Sequence, residues 1–324
     1  MRYLVDISRR AGQLSLMLFR IMIPIILLMK LLEELGLIVV LSQLLEPVME
    51  GVGLPGAMGL VWATTLVTNL YGGIVVFVGL AETTPLTVAQ VTVVSSMMLV
   101  AHALPVEGRI AHKAGISLTM AIGFRAVLAV VYGFLLNQFY QLTGWLQEPL
   151  QLRWAPAVVD VSLVRWALDQ LVGLVMIFAI VWTLVLVLDV LKRIHVIDWI
   201  NASLRPVMHW LGIGREAETI TLVGLTLGIS YGGGLLIEQA RAGHIATRDV
   251  LYSMSLLGLS HSLIEDTLLM MLIGADLSGI LVGRVLFSLL AIFVLIRVVN
   301  LLAPDTVRRW LVRSVAPQPA AEVS

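Results

Sequence analysis

Long apolar segments separated by short polar stretches occupy most of this chain. A helix needs about 20 mostly apolar residues to cross a hydrocarbon core of about 30 Å. The pattern therefore predicts an all-α, polytopic membrane protein with about 8–10 transmembrane helices. The predicted segments are 11–32, 36–54, 56–80, 86–111 and 115–140 in the first half, and 164–191, 195–213, 216–240, 249–272 and 275–303 in the second.

The second segment of each half is ambiguous. Both are short, contain a proline (Pro47 or Pro206) and carry charged residues. Such a segment either crosses the membrane as a broken helix or lies on its surface.

An internal repeat appears when the sequence is shifted by 159 residues. The polar and conformationally special residues then match in order: Pro47 with Pro206, His102 with His261, Glu107 with Asp266, Gly115 with Gly274, and Arg125 with Arg284. With one extra residue, Tyr71-Gly72-Gly73 matches Tyr231-Gly232-Gly233. We predict a first repeat at 1–140, a linker at 141–163, a second repeat at 164–315 and a disordered tail at 316–324.

The placement of positive residues favours ten crossings with both termini in the cytoplasm, because Lys and Arg concentrate in cytoplasmic loops. That arrangement places 13 of them inside and only four outside, namely Lys30, Arg153, Arg165 and Arg215. Five crossings per half would give the second repeat the opposite orientation. Inverted repeats are typical of secondary transporters.

Composition supports the membrane assignment and excludes several kinds of partner and site. Hydrophobic residues make up 59% of the 324 and charged residues 13%, with a mean hydropathy of +0.97. The 21 basic residues balance the 21 acidic ones, so nothing indicates nucleic acid as a partner. The absence of cysteine excludes disulfides and thiolate metal sites. We expect no catalytic residues, no cofactor, no metal and no enzymatic activity, and we expect location in the bacterial cytoplasmic (inner) membrane with the first helix retained.

Arg125 and Arg284 each lie near the middle of an apolar segment. A charge at that depth costs several kcal/mol unless it is paired or hydrated. Glu107 and Asp266 lie at similar depth on the preceding segments, so we predict the ion pairs Glu107–Arg125 and Asp266–Arg284. These pairs either clamp two helices together or take part directly in coupling or binding.

The Tyr-Gly-Gly motifs offer a candidate binding site. Glycines in membrane helices commonly permit close helix packing. Alternatively, they unwind the helix and expose backbone groups to a ligand. On the second reading we predict a substrate site formed by Asn69, Tyr71, Gly72, Gly73, Ser230, Tyr231, Gly232, Gly233, Gly234, His261 and Glu265.

His102 and His261 each lie a few residues before an acidic residue. The first interpretation is that each is a buried neutral histidine with a hydrogen-bond partner. A proton relay is a second interpretation, and ligation of a divalent cation by imidazole and carboxylate is a third.

Three short stretches carry a family resemblance: residues 28–37 (LMKLLEELGL), residues 44–47 (LLEP), and Asn69 with Gly72. They resemble the nucleoside recognition, or Gate, domain of spore maturation membrane proteins, concentrative nucleoside transporters and the membrane part of ferrous-iron transporters. The resemblance implies a gated membrane core that handles a substrate.

Two functions remain open. The first is a secondary-transporter-like permease for a small polar solute, such as a nucleoside-like one, coupled to H⁺ or Na⁺. The second is a non-transporting scaffold that assembles with a membrane partner or with its own copies in the lipid bilayer. Transport predicts polar residues of both halves around one wet cavity, whereas a scaffold predicts sealed ion pairs.

Overall fold

The computed structural model describes residues 2–81, 83–151 and 163–313, and the regular elements of these residues are all helices. The first half comprises α1 (Arg2–Glu34), α2 (Leu37–Gly51), α3 (Ala57–Val67), α4 (Leu70–Ala81), α5 (Val88–Val100), α6 (Leu104–Lys113) and α7 (Leu118–Thr143). The second comprises α8 (Leu163–Arg193), α9 (Val196–Trp210), α10 (Arg215–Leu227), α11 (Ile229–Arg241), α12 (Thr247–Ser260), α13 (Glu265–Leu272) and α14 (Arg284–Leu301), the last preceded by a π-helical segment, Ser278–Gly283. A short α15 (Pro304–Trp310) follows.

The prediction of an all-α, polytopic membrane protein is confirmed. Within the described part of the chain, five helices are long and apolar enough to cross a membrane. They are Val5–Glu34, Val88–Lys113, Leu118–Thr143, Trp166–Arg193 and Ser278–Leu301. The second of these contains α5 and α6, joined through a short break, and α12 with α13 has the same arrangement in the second half.

Left-handed backbone conformations recur in both halves at the offset of the predicted repeat. Positive φ angles occur at Gly36, Gly53, Ala103 and Gly115, and again, 159 residues later, at His195, Gly212, Ser262 and Gly274. The turns that end or interrupt helices are therefore placed alike in the two halves. The inverted orientation of the halves stays a prediction.

The third predicted segment of each half is a hairpin and not a single crossing. Residues 57–81 form the first hairpin (α3 and α4), and residues 215–241 form the second (α10 and α11). A Cβ atom added to Gly232 would lie 2.5 Å from Gly224 Cα and 3.2 Å from Ile220 O. Twelve residues of continuous helix would separate Gly232 from Ile220 by about 18 Å. The second hairpin thus folds back on itself, with α10 and α11 packed side by side.

The ambiguous second segments form separate helices, α2 and α9, of 15 residues each. At about 1.5 Å per residue each is about 22 Å long, which is less than the hydrocarbon core. The left-handed residues Gly36 and His195 separate them from the long helices α1 and α8.

The core lies around α5 and α12, whose residues are nearly all buried. The start of the predicted linker covers one end of α5, where Glu148 O accepts a hydrogen bond from Val88 N and Leu150 N donates one to Leu86 O. The rest of the linker, from residue 152 to 162, and the predicted disordered tail lie outside the described residues.

Candidate functional site

Two interrupted helices form the centre of the protein. The first break (residues 101–103) separates α5 from α6, and the second (residues 261–264) separates α12 from α13. Each break contains a residue other than glycine in the left-handed conformation, Ala103 with φ 47° and Ser262 with φ 50°. L-residues adopt this conformation at a cost of about 1–2 kcal/mol, so the surrounding contacts must hold the breaks in place.

The hairpin tips supply those contacts. Ala103 N donates to Thr65 O at 3.0 Å, and Leu263 N donates to Leu225 O at 2.9 Å. Thr65 and Leu225 lie in the last turns of α3 and α10, whose final carbonyls lack partners within the helix. Each hairpin tip is therefore bonded to the helix break of its own half.

The two buried arginines bind the carbonyl ends of the interrupted helices. Arg125 Nε donates to Val100 O at 3.0 Å, and Arg284 Nη2 donates to His261 O at 2.6 Å. The C-terminus of a helix carries partial negative charge, which a guanidinium complements. The arginines thus stabilise the breaks, a role that their position in apolar segments does not reveal.

His102, His261 and Glu107 form what we call the polar centre. His102 Nε2 lies 3.1 Å from His261 Nε2 and 3.2 Å from Glu107 Oε1, and His261 Nε2 lies 3.4 Å from the same oxygen. All three side chains are more than 90% buried. The structure therefore brings together two histidines separated by 159 residues, one from each half.

Of the two predicted ion pairs, only Glu107 and Arg125 make a direct contact, between Glu107 Oε2 and Arg125 Nη1. Asp266 and Arg284 form no such pair. Asp266 Oδ2 and the Nε and Nη1 atoms of Arg284 have no hydrogen-bond partner among the described residues. Equal depth does not fix the direction in which a side chain points, and Arg284 follows a π-helical segment that α7 lacks before Arg125.

Of the two interpretations of the Tyr-Gly-Gly motifs, the one in which they unwind their helices is wrong. Gly72 and Gly73 lie inside α4, and Gly232 to Gly234 lie inside α11. Gly232 permits contact between the two arms of its hairpin, and Gly233 packs against Ile110 of α6. Close packing, the other interpretation of these glycines, describes what they do here.

Most of the remaining predicted substrate residues lie apart from the polar centre, although Tyr71 lies near Glu265, another member of the set. Asn69 caps α4, with its Oδ1 accepting from Gly72 N at 2.9 Å. Tyr231 is 68% exposed on the outer surface, Gly234 is also exposed, and Glu265 is half-buried in the first turn of α13. The side chain of Ser230 lies outside the described residues. His261 alone of the predicted set belongs to the polar centre, and His102, its counterpart at the repeat offset, was missing from that set.

A cavity of about 940 Å³ lies between α1, α4, α8 and α13. Apolar side chains predominate in its walls, with Tyr71, Lys30, Glu33 and Gln170 among the polar ones. We call it the α4–α13 cavity. At the polar centre itself, the cavity that reaches Glu107 and Arg125 has a volume of only about 20 Å³, enough for about one water molecule.

The two halves differ at this point. In the second hairpin, α11 packs against α6, since a Cβ on Gly233 would lie 2.7 Å from Ile110 Cγ2. The counterparts of these helices by sequence offset, α4 and α13, both line the α4–α13 cavity. The helices α6 and α11 therefore contact each other, whereas their counterparts α13 and α4 flank an open cavity.

Comparison with known proteins supports the membrane assignment. Over 274 residues, covering 84% of this chain and 86% of the relative, the sequence is 26% identical to the uncharacterized membrane protein YvoD of Bacillus subtilis (strain 168). No family model matches the chain, and no solved structure matches it significantly. The resemblance to the Gate domain therefore stays a prediction.

Proposed function

We propose that this chain is a secondary-transporter-like permease of the bacterial cytoplasmic membrane that moves a small polar solute, such as a nucleoside-like one, by alternating access and without enzymatic activity. The asymmetry between the two pairs of corresponding helices carries this proposal. Alternating access needs two related arrangements, with one gate closed while the other is open. The contact between α6 and α11 corresponds to the closed gate, and the α4–α13 cavity corresponds to the open one.

Buried charge supports the same function. Ionisable side chains inside a membrane are costly, and they commonly mark the pathways of ions, protons or substrates. Here the polar centre, Arg125, Arg284 and Asp266 are all buried in or beside the two helix breaks. Non-helical backbone at this depth also fits a transport core, where hairpins and broken helices bond to each other away from lipid.

The hairpins imply a topology of six crossings: α1, α5–α6, α7, α8, α12–α13 and α14 with its π-helical segment. Three crossings per half still invert the second half relative to the first. With a cytoplasmic N-terminus, Lys30 and Arg165 are the positive residues of the described helices that lie outside. The cytoplasmic side receives Arg2, Arg9, Arg10, Arg109, Lys113, Lys192, Arg193, Arg205, Arg215, Arg241, Arg248, Arg297, Arg308, Arg309 and Arg313. This bias exceeds that of ten crossings and supports the revised topology.

In this topology the α4–α13 cavity faces outward. Its walls include Gly36 at the end of α1, Thr83 after α4, and Leu163 at the start of α8. All three positions belong to the side opposite the cytoplasm. We therefore assign the structure to an outward-open arrangement.

A disulfide across the closed gate tests the proposal. Cysteines replacing Ile110 and Gly233 lie within reach of each other, and the natural chain contains no cysteine that would interfere. Proteoliposomes are assayed for uptake of a panel of small polar solutes, with imposed H⁺ and Na⁺ gradients. We expect uptake by the natural chain, by Ile110→Cys and by the reduced double variant, in which the Ile110 Cγ2 atom that a Cβ on Gly233 would meet is absent. Oxidation of the double variant should abolish uptake, and reductant should restore it. Full uptake by the cross-linked protein would contradict alternating access at this gate.

A scaffold is the second candidate, and the sealed contact between Glu107 and Arg125 favours it. A scaffold has no need to open the contact between α6 and α11. It therefore predicts no gradient-driven uptake of any solute in the panel, together with a stable complex between this chain and a membrane partner or its own copies.

A further inference from the structure

The polar centre has the features of a metal site. The Nδ1 atom of His102 lies 3.0 Å from Met98 O, and that of His261 lies 2.7 Å from Leu257 O. A carbonyl oxygen only accepts hydrogen bonds, so each Nδ1 atom carries the proton. In the neutral rings, both Nε2 atoms then present lone pairs to one another and to Glu107 Oε1.

Three acceptor atoms facing each other at 3.1–3.4 Å repel one another unless a positive species lies between them. A divalent cation provides that charge. The circle through the three atoms has a radius of about 1.9 Å. An ion slightly out of their plane thus reaches all three at about 2.0–2.1 Å, the length of zinc–imidazole and zinc–carboxylate bonds.

The surroundings of the three atoms resemble those of known metal sites. Metal-binding histidines usually donate their other ring N–H to a backbone carbonyl or carboxylate, which fixes the ring. Both histidines do so here through their own helices. The second oxygen of Glu107 is held by Arg125, so the carboxylate is oriented as well.

We propose that His102, His261 and Glu107 bind one divalent transition-metal cation, with Zn²⁺ as the working example. Imidazole ligands suit Zn²⁺, Cu²⁺, Fe²⁺ and Ni²⁺, whereas Mg²⁺ and Ca²⁺ prefer oxygen ligands. Three protein ligands leave a fourth position open for water or a further ligand. Because the ligands come from both halves, the ion joins the two helix breaks. This site does not depend on the chain being a permease.

Metal binding to the full chain in detergent micelles tests the proposal. Purified protein is stripped with a chelator and dialysed against buffered Zn²⁺, and bound zinc is counted by mass spectrometry. We expect about one tightly bound ion per chain. The variants His102→Gln and His261→Gln should each lose at least about 100-fold in affinity, more than is typical for loss of a supporting residue. The matched control is His209→Gln, on the exposed surface of α9, and it should bind as the natural chain does.

X-ray absorption at the zinc edge provides a second measurement that requires no variant. The natural chain should show two imidazole nitrogens and oxygen in the first coordination shell. Failure of the natural chain to bind zinc would overturn the site and leave a shared proton as the species between the histidines. Undiminished binding by a folded His261→Gln variant, or a spectrum without imidazole, would also overturn it.

Discussion

Replacing a glycine of α11 with alanine should destabilise the protein at Gly232 but not at the nearby Gly234. At Gly232 the three nearest atoms to a new Cβ are Gly224 Cα at 2.5 Å, Gly224 N at 2.9 Å and Ile220 O at 3.2 Å. All three are backbone atoms, so no side chain can rotate away. At Gly234, only two residues further along the same helix, no atom lies within 4 Å.

The magnitude follows from these distances. Ordinary contacts between carbon atoms lie at about 3.5–4.0 Å, so Gly232→Ala must separate α10 from α11 by about 1 Å. Overpacking of this kind costs about 1–3 kcal/mol. The gain in helix propensity from glycine to alanine, about 1 kcal/mol, applies to both positions and cancels in the comparison. We therefore expect Gly232→Ala to be about 1–3 kcal/mol less stable than Gly234→Ala.

Thermal unfolding in detergent, followed by the fluorescence of the eight tryptophans, measures this difference. Gly234→Ala should unfold at or above the temperature of the natural chain. Gly232→Ala should unfold a few degrees below Gly234→Ala. Equal apparent melting temperatures for the two variants would refute the hairpin packing and restore a single continuous crossing.

Three further predictions concern charge, topology and backbone strain. Loss of one partner of the Glu107–Arg125 pair should lower the free energy of unfolding by about 3–5 kcal/mol. A double-mutant cycle should show a larger coupling energy for this pair than for Asp266 and Arg284, which make no direct contact. Equal coupling energies would argue against the observed difference. In the cysteine-free chain, Gly51→Cys should react with an impermeant thiol reagent in intact cells and Arg215→Cys should not, whereas ten crossings predict the reverse. Ala103→Gly should raise the apparent melting temperature because glycine adopts the left-handed conformation without strain. The control Ala121→Gly, inside α7, should lower the melting temperature. A decrease for both variants would show that Ala103 is not strained.

The amino-acid sequence alone determined the class of this protein. Apolar segments of membrane-spanning length, such as those at 115–140 and 164–191, have no stable alternative in water, so pattern and composition suffice to predict membrane helices. The similar depth of Glu107 and Arg125 in the sequence also predicted their contact, because a buried guanidinium needs a partner and the nearest acid lies on the neighbouring helix.

Only the tertiary structure decided the path of the third segments and the composition of the centre. Residues 56–80 are equally apolar whether they cross the membrane or fold back at Thr68 and Asn69, because hydrophobicity records the surroundings of a residue and not the direction of the chain. His102 Nε2 and His261 Nε2 face each other because a left-handed residue interrupts each helix and a hairpin tip bonds to each break. Those contacts join residues far apart in sequence, and no local pattern of hydrophobic and polar positions encodes them.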